Sequence, residues 1–167
     1  RTLDYEFSYN EEVAQQTWNF VDLSESIPLI KADETNWNVD KHKTDAPDVP
    51  VQWSNKNAFT EWSTLKANGE EIPATKGLMF IGAKNKLIFS ISSKNKNYFK
   101  LNSSKAKIKI CNLKKGQELT IVGLSGSKDE DRTFTAEENL EVISGMKPTL
   151  IEHTSKAIVK ADGDIVI

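Results

Sequence analysis

Two histidines, one cysteine and two knots of acidic residues are the groups in this 167-residue chain whose types could make or break bonds. His42 and His153 stand far apart in polar surroundings, the usual setting of isolated surface imidazoles rather than of a shared metal or catalytic pair. Cys111 follows the apolar alternation of Ile108 and Ile110, with no neighbour in sequence that would activate a thiolate, so it reads as a small packing residue. Alone, it forms no internal disulfide. Asp129-Glu130-Asp131 and Asp162-Gly163-Asp164 offer hard oxygen ligands that would suit a structural calcium, but neither matches a full calcium loop, and turns are rich in aspartate for backbone reasons. No cofactor is expected. A Gly-x-Ser-x-Gly elbow, a Gly-x-Gly-x-x-Gly turn, a phosphate loop and a His-Glu-x-x-His helix are all missing from the sequence. A small glycan-degrading enzyme would instead need a cleft holding two facing carboxylates, which sequence spacing does not reveal. The expectation is a non-catalytic domain.

The formal net charge of -2 hides a segregation. Residues 1–71 hold 14 acids and 6 bases, residues 72–117 hold 11 lysines and no acid, and residues 118–167 hold 10 acids and 5 bases. Such a block could form a basic face for an anionic polymer. The stronger reading is structural, because lysines alternating with apolar residues on strands describe a solvated sheet face or a protected edge. Every base in the block is lysine, which argues against a nucleic-acid partner, since bidentate phosphate recognition favours arginine. No apolar run approaches the length of a membrane-spanning helix, so no membrane insertion is expected.

The elements that would position these groups are mostly strands. Residues 1–16 are acidic and polar and read as a leader or linker ahead of a single domain at 17–167. Trp18 and Phe20 share parity and suggest a first strand or anchoring segment, while Ser24 to Pro50 reads as a long polar loop, with Pro47 and Pro50 barring a helix. Val49, Val51 and Trp53 alternate as a strand would. Asn57 could cap a short helix carrying Phe59, Trp62 and Leu65 or Lys66, closed by Asn68-Gly69. From Leu78 onward the period is two: Leu78 and Phe80, then Leu87, Phe89 and Ile91, then Phe99 and Leu101, then Ile108 and Ile110, then Leu119 and Ile121. Thr135-Ala136-Glu137-Glu138 has capping-box spacing for no more than a turn, and short strands are expected at 140–143, 149–154 and 157–167, the last broken by Asp162-Gly163. Repeated short strands separated by turn signals predict an all-β, antiparallel β-sandwich or jelly roll with at most one or two short helices.

Three segments together resemble a β-sandwich accessory domain of secreted polysaccharide-processing, pectate-lyase-associated proteins of gut anaerobes. They are Gln16-Thr17-Trp18-Asn19-Phe20, Lys76-Gly77-Leu78-Met79-Phe80, and Ile108 to Gln117 with Leu119-Thr120-Ile121. The resemblance implies a carbohydrate-binding-module-like jelly roll, without catalysis, located outside the cell or at the cell envelope, and carried with further domains of a larger protein.

If such a domain binds polysaccharide, flat aromatics must stack on the C–H faces of sugar rings while amides or carboxylates meet the hydroxyls. Trp37, flanked by Asn36 and Asn38 in the polar excursion, is the first candidate platform. Trp62 and Tyr98 follow, the latter opposite in parity to Phe99 and Leu101; Trp18 and Trp53 follow core parity. The lysine block would favour an acidic glycan. The competing reading is a structural spacer or assembly domain with no ligand of its own.

Overall fold

Alternation is written most plainly in Leu78-Met79-Phe80-Ile81-Gly82, and there the backbone is a strand whose positions are alternately buried and half-buried. The computed structural model describes residues 15–20, 26–41, 50–91, 97–127, 129–134, 139–143, 145–146 and 149–167. Residues 1–14 of the expected leader, His42, the Asp45–Val49 stretch, Lys94, Lys96 and the Thr135–Glu138 capping box lie outside these residues. The chain order is α1 (Ile27–Ala32), β1 (Trp37–Lys41), β2 (Pro50–Asn55), β3 (Phe59–Ser63), β4 (Lys66–Ala67), β5 (Glu70–Glu71), β6 (Leu78–Gly82), β7 (Leu87–Ser90), β8 (Tyr98–Leu101), β9 (Lys107–Leu113), β10 (Glu118–Gly123), β11 (Leu140–Val142), β12 (His153–Val159) and β13 (Gly163–Val166).

These strands build an antiparallel, all-β sandwich. One sheet has the order β1-β2-β7-β8, the second β13-β9-β6-β3, and a third, smaller sheet β10-β12-β11. Trp37, Trp53 and Phe89 of the first sheet meet Leu78, Phe80, Ile110 and Ile165 of the second in one core, which Leu119, Ala157 and Val159 of the third extend. Aromatic rings tie the layers: Phe89 and Phe99 lie 4.8 Å apart, and Phe99 meets Phe80 of the opposite sheet at 5.6 Å. Such pairs add about 0.5–1.5 kcal/mol each beyond their buried area.

The expected helix at 57–68 does not form. Phe59–Ser63 is strand β3, bulged against β6, and Asn68 and Gly69, at φ 52° and 82°, turn β4 back onto β5. An Asn-Gly pair with both φ values positive is the preferred two-residue hairpin turn, and it overrides a three-residue apolar spacing that the bulge accounts for equally well. The segment read as a polar loop holds both α1 and β1. Pro28 sits in the first turn of α1, where its missing N–H is harmless, and Ile30 is fully buried. Trp18 and Phe20 belong to an extended segment rather than a strand. The Trp18 indole N–H donates to the Lys76 carbonyl at 2.6 Å, as does the Gln16 side chain at 3.2 Å, and Phe20 stacks on Phe99 at 4.9 Å. Of the expected strand at 149–154 only its end is strand, in β12, while 157–167 divides between β12 and β13 around Asp162.

Candidate functional site

Strand parity decides which side chains of the first sheet face outward. The inward set is Trp37, Val39, Trp53 and Phe89, paired across the strands as Val39↔Trp53↔Phe89. The outward set forms two cross-strand rows, Asp40–Gln52–Ser90–Tyr98 and Asn38–Ser54–Ile88–Lys100. Ser54, Ile88 and Ser90, at the middle of this face, are buried, so it is open only at its two margins. At the β1–β2 margin a cleft of about 590 Å³ is lined by Asn38, Asp40, Gln52, Lys84 and Asn85, among others.

Asn85 organises that cleft. Its backbone has φ 61°, a left-handed conformation that asparagine tolerates better than most residues, and its Oδ1 accepts from Asn38 Nδ2 at 2.6 Å and Ser54 Oγ at 3.3 Å. Beside it, Gln52 Nε2 donates to Asp40 Oδ2 at 3.3 Å, and Lys56 Nζ donates to the Glu34 carbonyl at 2.9 Å. The Asn85 turn is itself held from beneath by Asn55, which is 1% exposed. Asn55 Nδ2 donates to the carbonyls of Asn57 (2.7 Å) and Ala83 (2.9 Å), while its Oδ1 accepts from the N–H groups of Lys86 and Leu87, both at 3.0 Å. The Asn85 N–H completes the join by donating to the Asn55 carbonyl at 2.9 Å. All four hydrogen-bonding positions of the Asn55 amide are filled. It clasps the two crossovers, β2 to β3 and β6 to β7, on which the cleft wall depends.

Trp37 is corrected by the structure. It is 2% exposed, packs edge-on against Phe89 at 5.7 Å, and donates its indole N–H to the Lys66 carbonyl at 2.8 Å. Its ring is therefore a core element and not an exposed stacking platform. The reason is parity: in Trp37-Asn38-Val39-Asp40, Trp37 and Val39 face the core and the two polar residues face out. Asn36 is exposed, but its side-chain amide turns back to the Asp33 carboxylate at 3.1 Å, outside the cleft lining. Asn38 is in the cleft. Tyr98 shares the outward face but stands at the far margin, on β8, and is 40% exposed. Trp62 lies on the second sheet, half-buried, with Lys109 Nζ 4.5 Å from its ring centroid. Of the five expected site residues, Trp37 and Asn38 both line the cleft, Trp37 from the core side, whereas Asn36, Trp62 and Tyr98 lie elsewhere. Asp40, Gln52, Lys84 and Asn85 were missed, although the period-two polar positions Asp40 and Gln52 opposite buried tryptophans and the Lys84-Asn85 turn were a readable signal.

Asp33 closes the other side of this region. Its carboxylate accepts from the Asn68 N–H at 2.6 Å and from the Asn36 N–H at 3.1 Å, joining α1 to the β4–β5 turn. Burial pushes its pKa up, but the hydrogen bonds from Asn68 and Asn36, assisted by Lys56, outweigh burial and hold it below the usual carboxylate range.

The acidic knots serve backbone N–H groups. Asp162 accepts from Lys115, Asp164 from Asn112 and Asp131 from Leu150, and among the described residues no group of three or more His, Cys, Asp or Glu side chains could hold a metal. Cys111 is half-buried in β9, and burial together with the nearby Asp164 carboxylate pushes its thiol pKa up. The lysine block disperses: Lys84 reaches the cleft, Lys100 lies on the outward face of the first sheet, Lys107 and Lys109 lie on that of the second, and Lys114 pairs with Asp162 at 3.8 Å. No helix among the described residues is long and apolar enough to cross a membrane. The chain matches no family model, no curated protein and no solved structure.

Proposed function

We propose that the chain is a non-catalytic, carbohydrate-binding-like module of the jelly-roll kind, exported to the cell surface or beyond, which engages polysaccharide weakly. The resemblance of its Gln16–Phe20, Lys76–Phe80 and Ile108–Ile121 segments to accessory domains of polysaccharide-processing proteins supports this reading. The single observation that carries it is the polar cleft, where Asn38, Asp40, Gln52 and Asn85 converge as paired donors and acceptors on a rigid sheet margin. Sugar hydroxyls both donate and accept, so they can replace partners in the side-chain pairs that line the cleft. With the Trp37 ring buried, binding there rests on hydrogen bonds alone. Four bonds at about 1 kcal/mol each give about 4 kcal/mol before association costs; with those taken off, the sum falls short of the roughly 4 kcal/mol net that a millimolar affinity needs, so one cleft alone binds more weakly than that. Such a module gains from repeated contacts along one polymer or from attachment to other domains.

Affinity electrophoresis against neutral and uronic-acid polysaccharides tests the reading. Retardation by at least one polymer, relieved in the Asn38→Ala/Gln52→Ala double variant, supports it; indifference to every polymer defeats it. The third sheet favours the second reading, an assembly domain without a ligand: Val122, Leu124, Ile143 and Ile151 of this region are all more than half exposed. Self-association in sedimentation velocity, with no polymer binding, is the outcome expected of that alternative.

A further inference from the structure

Six strands end the three larger sheets, and five of them are blunted against further pairing. β1, β3 and β13 each slip in register against their one neighbour, β11 is only three residues long, and β8 carries Lys100. Bulges, shortness and lysine are the usual guards of a sheet edge. β10 has none of them. It runs for six residues, Glu118–Gly123, without lysine or proline and in unbroken register with β12, its single strand partner among the described residues. The Val159 N–H donates to the Gln117 carbonyl, which puts the odd-numbered residues of β10 in the bonded pairs with β12. The N–H and C=O groups of Glu118, Thr120 and Val122 therefore point away from β12, along an open edge. Apolar side chains gather there too. Val122 of β10 and Leu124 just after it are exposed, and the Ser125 N–H, donating to the Thr149 carbonyl at 2.6 Å, holds the exposed Leu150 and Ile151 beside them. Charges near this edge are answered within the chain: Lys156 Nζ lies 3.6 Å from Glu118, Arg132 lies 3.6 Å from Glu130, Asp131 accepts from the Leu150 N–H at 3.2 Å, and Glu152 is likewise engaged. What the edge lacks is a strand with an apolar margin, not a counter-ion.

We infer that β10 pairs antiparallel with β10 of a second copy of this chain, across a two-fold axis at Val122, an inference independent of the glycan reading. Two identical unguarded edges close on each other in one step, and the symmetry leaves no β10 edge free to recruit a third copy. An axis at Val122 sets Val122 against its own counterpart and Thr120 against Leu124, so methyl groups meet throughout. An axis at Thr120 would instead set the Glu118 carboxylate against Val122. The four exposed apolar side chains offer roughly 300 Å² per copy, at about 120 Å² for a fully bared aliphatic side chain, below the roughly 500 Å² of apolar surface in a standard half-interface of about 800 Å². The pair is therefore weak, with a Kd on the order of 0.1 mM. Where the glycan reading also holds, such a dimer carries two clefts, and a polymer that spans both is held more tightly than by one.

Sedimentation equilibrium of the full chain, from about 10 µM to about 1 mM, brackets that affinity. A monomer–dimer equilibrium with no larger species is expected. Val122→Lys, which sets a guard on the exposed edge, should weaken the dimer about tenfold or more, while its circular dichroism melt stays that of the parent. In a Cys111→Ser background, Val122→Cys should form a disulfide-linked dimer under mild oxidation, since a bonded pair at the axis stands about 5.5 Å apart between Cα atoms, within disulfide reach. Glu118→Cys in the same background should not, because that pairing separates the two copies of residue 118 by about 27 Å. Monomer throughout the range, a dimer indifferent to Val122→Lys, cross-linking at 118 rather than 122, or growth beyond the dimer overturns the inference. Polymer retention is measured separately, so the glycan reading stands or falls on its own gels.

Discussion

Replacing Asn55 with aspartate changes almost nothing in shape and should nevertheless be among the most damaging single changes in the molecule. The Asn55 amide is 1% exposed and uses both its protons, on the carbonyls of Asn57 and Ala83. An aspartate keeps the one acceptor oxygen that serves both Lys86 and Leu87 but turns its other oxygen toward two carbonyl oxygens. Each orphaned carbonyl forfeits about 1–3 kcal/mol, so the loss at neutral pH should be about 2–6 kcal/mol, a large share of the roughly 5–15 kcal/mol of an ordinary domain. Urea denaturation followed by tryptophan fluorescence reads it as a lower midpoint at constant slope. The pH dependence has a definite sign. In the variant the folded state prefers the protonated acid, which regains one donor, so its folded-state pKa is raised. The penalty should then be smallest at acidic pH and grow as pH rises through the unfolded-state value of about 3.9 toward the raised one. An Asn55→Asp protein within about 1 kcal/mol of the parent at pH 7 would refute the clasp, since even one lost bond to a buried carbonyl should exceed that.

Asp33→Asn should lower stability by about 1–3 kcal/mol at neutral pH, because a charge-assisted acceptor for the Asn68 and Asn36 N–H groups becomes a neutral one. Since the Asp33 pKa is depressed in the fold, its contribution is present above the unfolded-state value and is lost as pH falls through the folded one, so the variant should show a flatter acid limb in thermal melts from pH 6 down to about 2. Gly69→Ala meets no atom within 4 Å yet must hold φ +82°, and should lose about 1 kcal/mol by backbone strain alone; an unchanged melting temperature would contradict the hairpin turn.

Much of the sandwich was legible because most strands from Leu78 onward carry an apolar residue at every second position and a turn signal at each end. Leu78 and Phe80, Leu87 and Phe89, and Ile110 are all in the core, as their parity implies. The errors arose where two periods fit the same residues. Phe59, Trp62 and Leu65 suit a helix stripe, but a bulged strand and an Asn-Gly hairpin send Leu65 inward and Trp62 outward. Trp37 was misjudged because five residues are few for recognising a strand inside a polar stretch, and its burial follows from the pairing with Asn55 that sequence does not state. The cleft was the least legible part. Asn38 meets Asn85 of the β6–β7 turn, and Asp40 meets Gln52 across β1 and β2, and only the folded register brings each pair within hydrogen-bonding distance.

The segment that docks ahead of the first helix bears on how this domain can be trimmed. A boundary drawn by regular elements would start the protein near Ser26, discarding a stretch that looks like mere tether. That cut would strip two donors from the Lys76 carbonyl and uncover the flank of Phe99, an aromatic that bridges both layers. A fragment beginning there would show more hydrophobic dye binding and clumping than one beginning at Gln15, so the domain is better delimited by what it buries than by where its ladders start.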